Sequence, residues 1–196
     1  MNRSLMSLFL APVAAVSLAG CGIDSIPTAE EEAKARWADV QNDYQRRSDL
    51  IPNLVETVRA AAAQERNVLR EVTQARASAN QIQVTGDQLT DPAAMSRFAE
   101  AQSRLTLSLQ RLQEAYPELK SNRNFETLMV QLEGTENRVG RSRERYNEAV
   151  QNYNTRIRTF PDVIGAKVFY GAKPMVPYEA SAAAQTAPKV DFGNGQ

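Results

Sequence analysis

Glu133 and Glu136 stand three residues apart, a spacing that could suit chemistry. On a helix such positions share a face, and two carboxyl groups suffice for glycosidase-type hydrolysis. Asn137 and Arg138 follow, and an arginine among small polar residues can hold a ligand carboxylate or pair with Glu136 and nearby acids. A second polar group, Arg46, Arg47, Asp49 and Asn53, surrounds Pro52. Arginines beside the acids favour their ionised form, which suits an ion pair better than a proton donor. The chain has no histidine, so it lacks the usual general base, the commonest metal ligand and the ordinary pH switch. Its one cysteine, Cys21, permits neither an internal disulfide nor a thiolate metal cluster. The expectation is a protein with no catalytic residues, no metal and no cofactor. Its polar clusters would then serve as an interaction surface or as a polar core.

The elements that carry these residues read as helices. From Asn122 to Pro161 a seven-residue step gives Phe125, Leu132, Val139, Tyr146, Tyr153 and Phe160, with Leu128, Met129, Ala149, Val150 and Ile157 widening the stripe. One face of a long amphipathic helix accounts for that pattern. Its centre is polar, with Thr135, Glu136, Ser142 and Arg143 beside Gly134 and Gly140. Either this part of the bundle is thin and wet, or it holds a buried polar cluster or a close backbone approach. Upstream, Thr28 suits an N-cap with Glu30 to Glu32 in the first turns, and an apolar stripe then runs from Trp37 to an end near Ala79. Pro52 should kink or break that helix between Leu50 and Asn53, leaving carbonyls for the surrounding polar side chains to repair. Asp91-Pro92 opens a shorter helix that ends at Pro117. Short polar turns make these helices antiparallel neighbours, so the fold class is all-α, an up-and-down helical bundle.

Composition narrows the partners. The 196 residues suit one domain with a proper core, and 42% are apolar. Lys plus Arg and Asp plus Glu balance at 23 each, which gives no surplus to attract nucleic acid. Residues 1–20 have a basic start at Arg3, an apolar run from Leu5 to Leu18 and small residues before Cys21. The ending Leu18-Ala19-Gly20-Cys21 resembles the lipobox of bacterial lipoproteins, which implies lipidation of Cys21 and a permanent bilayer anchor. An uncleaved membrane helix is the competing reading, but Pro12 interrupts the apolar run. The expected organisation is a signal peptide over 1–20, a lipidated tether over 21–29, a bundle over 30–170 and a mobile tail over 171–196. Tyr178 and Phe192 are the tail aromatics that could dock.

Three blocks together resemble the LemA family of bacterial proteins. They are Tyr44 to Val58 (YQRRSDLIPNLVETV), the set AYPELKSNRNF, QLEGTENR and RYNEAVQNYNTRIRTFP between Ala115 and Pro161, and a tail signal at Pro177 to Ala180 with Val190-Asp191-Phe192. The resemblance implies a four-helix up-and-down bundle, with the fourth helix at Val163 to Tyr170 or split off at Pro52. It brings no established catalytic activity and no catalytic residues. The chain departs from the family's usual uncleaved N-terminal membrane helix, and its tail lacks the second aromatic after Tyr178.

The functional expectation is a lipid-anchored envelope protein, a non-enzymatic helical scaffold or interaction module. Its partners are the membrane, through lipid on Cys21, and an envelope protein; a homo-oligomer stays open. Gly22 after Cys21 lacks the aspartate of inner-membrane retention, so the outer membrane facing the periplasm is expected where two membranes exist. Two alternatives remain: a small-ligand or peptide sensor using the polar centre from Thr135 to Arg143, and a carboxylate-based hydrolase.

Overall fold

Helix-forming residues with apolar stripes dominate the chain, and helices dominate its structure. A computed structural model describes residues 25–61 and 66–179. Four long helices are α1 (Ser25–Ala61), α2 (Arg66–Gln81), α3 (Pro92–Ala115) and α4 (Arg123–Arg156); α5 (Asp162–Gly165) is a single turn. 3₁₀ turns occupy Gly86–Thr90 and Pro117–Ser121, a π-type turn follows α5 at Ala166–Tyr170, and no strand occurs among the described residues. The fold is therefore all-α.

The chain forms two compact units, whose boundaries fall inside α1 and α4. One unit runs to Tyr44 and includes Gly86–Asp91 and Thr135–Pro177; the other comprises Gln45–Thr85, Pro92–Gly134 and the chain from Tyr178. In the first, Trp37 of α1 meets Tyr146 of α4 with ring centroids 5.1 Å apart, and Ser25 hydrogen-bonds Asp162. Contacts nearer the start of α1 thus fall further along the chain after α4 begins, as antiparallel packing requires. Trp37, Val40, Val139, Tyr146 and Val150 are almost fully buried there.

In the second unit, Ile51, Leu54 and Val58 of α1 join Val72 of α2, Leu105 and Leu112 of α3, and Phe125 and Leu132 of α4 in one core. Truncating a filled position such as Leu112 to alanine would cost about 2–5 kcal/mol. Asn122 starts α4 in this unit. Its Oδ1 accepts from the backbone N–H groups of Asn124 (3.0 Å) and Phe125 (3.3 Å), which a helix start otherwise leaves unsatisfied.

The structure corrects several sequence expectations. Thr28 lies inside α1 and is not its N-cap, so residues 25–29, assigned to a tether, are helical. Pro52 neither breaks nor ends α1, which continues to Ala61. The additional helix is α2, which begins at Arg66 and is not split off at Pro52; Val163 to Tyr170 forms only short turns. Five of the six residues in the seven-step stripe are buried, but Phe160 is 80% exposed because α4 ends at Arg156. A Cβ built on Gly134 or Gly140 would meet nothing within 4 Å, so neither glycine marks a close backbone approach. Residues 171–179 carry two buried side chains, Met175 and Tyr178. Cys21, the signal peptide, the first part of the tether and the tail beyond Glu179, with Phe192, lie outside the described residues.

Candidate functional site

The polar group around Pro52 resolves into one buried arginine and a repaired carbonyl. A proline at position 52 has no N–H for the carbonyl of Ser48, four residues earlier. Arg76 of α2 takes over that role: its Nε donates to the Ser48 carbonyl at 2.8 Å and to Ser48 Oγ at 3.2 Å. The Ser48 hydroxyl in turn donates to Asn80 Oδ1 at 2.9 Å. An interior proline costs about 3 kcal/mol or more, while a hydrogen bond from a charged donor contributes about 1.5–3 kcal/mol. The two magnitudes are comparable, which is how α1 stays continuous.

Arg47 is only 2% exposed. Its guanidinium donates to Gln102 Oε1 at 2.7 Å and to Thr106 Oγ1 at 3.0 Å, both on α3. Buried charge demands such partners, and these tie α1 to α3. Arg46, Asp49 and Asn53 are exposed instead. Asp49 accepts from Gln45, and the Asn53 carbonyl accepts from Thr57 within α1. The ring around Pro52 is therefore not one site: Arg47 faces inward and the other three face solvent. Sequence reading missed Arg76, Asn80, Gln102 and Thr106, because their roles arise only when α2 and α3 pack on α1.

On α4, Glu133, Glu136, Asn137 and Arg138 are all exposed. Around them Ser142 is buried and Thr135 and Arg143 are half-buried, so the polar centre of the helix is mostly wet. The pair Glu133 and Glu136 has the helical spacing foreseen, and both side chains are open to solvent. Among the described residues no group of three or more Cys, Asp or Glu side chains could hold a metal ion.

Two further surfaces are present, one in each unit. An open groove of about 390 Å³ runs along α2 and α3, over Ala75, Ile82, Ala101 and Leu107, with Arg97 and Arg104 on its rim. Glu71 and Arg111 pair across it. In the other unit, the segment after α5 is strapped to α4. Asn154 donates to the Met175 carbonyl and accepts from the Met175 N–H, both at 2.8 Å, and the Tyr146 hydroxyl donates to the Val176 carbonyl at 2.8 Å. The Val176 N–H donates to the Leu89 carbonyl in the 3₁₀ turn. Burial pushes the Tyr146 phenol above its ordinary range, and burial with help from Glu30 does the same to Tyr153. In the second unit, Tyr178 packs edge-on against Phe98, with centroids 6.4 Å apart.

Comparison with known proteins agrees with the blocks in the sequence. No curated protein matches the chain. A family profile matches residues 36–192, a span that holds all four long helices but the first turns of α1. The antiparallel helices, the QLEGTENR segment and the docked Tyr178 lie within that match, and the chain belongs to the LemA family.

Proposed function

We propose that this chain is a lipid-anchored envelope protein whose helical body is a non-enzymatic interaction module for other envelope proteins. The observation that carries the reading is the exposure of Glu136, Asn137 and Arg138. They belong to a segment on which the chain resembles the LemA family, and their side chains lie outside the buried core. Polar residues outside the core and held on a rigid helix are suited to recognition. Cys21 would carry the lipid, and the body would stand outside the cytoplasm, on the periplasmic face of the outer membrane where two membranes exist.

The test is in-cell cross-linking from a photoreactive residue placed at Asn137, with Glu148, also exposed on α4, as the control position. Capture of one protein from position 137 and not from 148, lost on Cys21→Ser, is the expected result. No capture above background from the anchored, folded protein would overturn the reading. A sensor of small ligands or peptides is the second reading, favoured by the groove along α2 and α3. It predicts a higher melting temperature on ligand binding, abolished by Ala101→Trp in the groove floor.

A further inference from the structure

Seven large apolar side chains stand exposed among the described residues, and five of them fall between positions 160 and 170. Phe160 is 80% exposed, Ile164 53%, Val168 69%, Phe169 67% and Tyr170 42%. Scattered single exposures are ordinary, but a cluster of this kind marks a surface that something covers. The five lie close together in the chain, from the end of α4 through the α5 turn and the π-type turn that follows it.

The segment is fastened to the beginning of α1. The Ser25 hydroxyl donates to Asp162 Oδ2 at 2.8 Å, and Ile26 lies against Gly165, 3.5 Å from where a Cβ would stand. Arg156 also approaches Asp162, at 3.9 Å. Cys21 precedes Ser25 by four residues, a reach of about 14 Å at full extension. A lipid on Cys21 therefore places the bilayer surface within one short span of these apolar side chains. Charge agrees with that neighbour: Arg158, Lys167 and Lys173 are exposed along the same stretch, where Asp162 is the one acid and is already engaged. Basic residues flanking exposed aromatic and aliphatic side chains are the pattern of a protein surface seated in phospholipid head groups.

We infer that Phe160, Ile164, Val168, Phe169 and Tyr170 form a second membrane contact, which inserts into the head-group layer of the bilayer holding Cys21. This inference rests on the lipid-anchor reading. The lipid alone makes attachment permanent, so the contact adds orientation and not retention. It fixes the unit that contains it against the membrane.

The test uses the full-length chain, extracted from membranes and reconstituted in phosphatidylethanolamine–phosphatidylglycerol vesicles with or without bromine on the acyl chains. Phe169→Trp adds an emitter at the contact, and the buried Trp37 supplies a constant background. Val168→Trp is the second variant. Most of the added emission should be lost to brominated lipid, with a blue shift, and the loss should shrink when Lys167→Glu and Lys173→Glu are added. Unquenched, red-shifted emission from lipidated protein would overturn the contact while leaving the anchor standing. Emission that is shielded but unquenched would mean that protein covers the patch, a second copy or another chain, and would overturn it too. Mass analysis of the N-terminal peptide separates the two readings: an unlipidated Cys21 would remove the anchor, and the inference with it.

Discussion

At the residue scale, Pro52 shows how a local defect is corrected from a distance. The Ser48 carbonyl accepts from Arg76, 28 positions further along the chain. Arg76→Met should therefore lower stability by about 1.5–3 kcal/mol, because it leaves a carbonyl short of its donor. Pro52→Ala restores an N–H to α1, so it should recover more stability in the Arg76→Met background than in the native chain. A double-mutant cycle by chemical denaturation measures that coupling, and additive single effects would show that Arg76 acts elsewhere. The sequence disclosed that Pro52 would need a repair. It pointed, however, to near neighbours in the chain, and Arg46, Asp49 and Asn53 turned outward. What it could not disclose is which residue of a returning helix comes opposite Ser48, since that depends on the packed register of α1 and α2. Arg47 was legible as a polar residue of interest, but its burial against Gln102 and Thr106 was not.

At the scale of elements, periodicity was a good guide wherever large apolar residues recur. Five stripe residues of α4 are buried as the seven-residue step requires, and Asn122 caps the helix at the place where the stripe begins. Asn122→Ala should cost about 1 kcal/mol, read from the shift of the unfolding midpoint. The division between α1 and α2 was harder to see. Ala61 and the residues after it include neither proline nor glycine, so no stop signal is written there. The clue is a gap: after Val58 the stripe has no large apolar residue until Val68. The segment from 171 to 177 also misled, because its Ala, Gly and Pro content is that of a loose tail. Side chains on α4 hold it instead, and Asn154 does so by matching both backbone groups of Met175. Asn154→Ala should speed hydrogen exchange at the Met175 amide by an order of magnitude or more while the α4 core keeps its protection. Unchanged exchange would mean that burial of Met175 alone holds the strap.

At the scale of the whole molecule, three groups with raised proton affinity among the described residues lie in one unit. Tyr146 and Tyr153 are buried there, and the Lys34 ammonium, paired with Glu30 and Glu31, is held above the usual lysine range. Each keeps its proton in the folded chain at a pH where the unfolded chain has begun to release it, near 10 for tyrosine and lysine. The unfolded state then binds fewer protons than the native state, so stability falls as pH rises. Stability should thus be level between about pH 8 and 9.5 and decline beyond about pH 10. The reporter is built in, since Trp37 is the chain's single tryptophan and its ring lies 5.1 Å from that of Tyr146. Melting followed by Trp37 fluorescence should give a midpoint that drops with pH in this window. Tyr146→Phe also removes the hydrogen bond to Val176, so slopes against pH are the proper comparison, not absolute midpoints. The slope should become shallower without vanishing, because Tyr153 and Lys34 still titrate. A slope unchanged by Tyr146→Phe would place the alkaline sensitivity on those two groups and would mean that the buried phenol keeps its ordinary affinity for the proton.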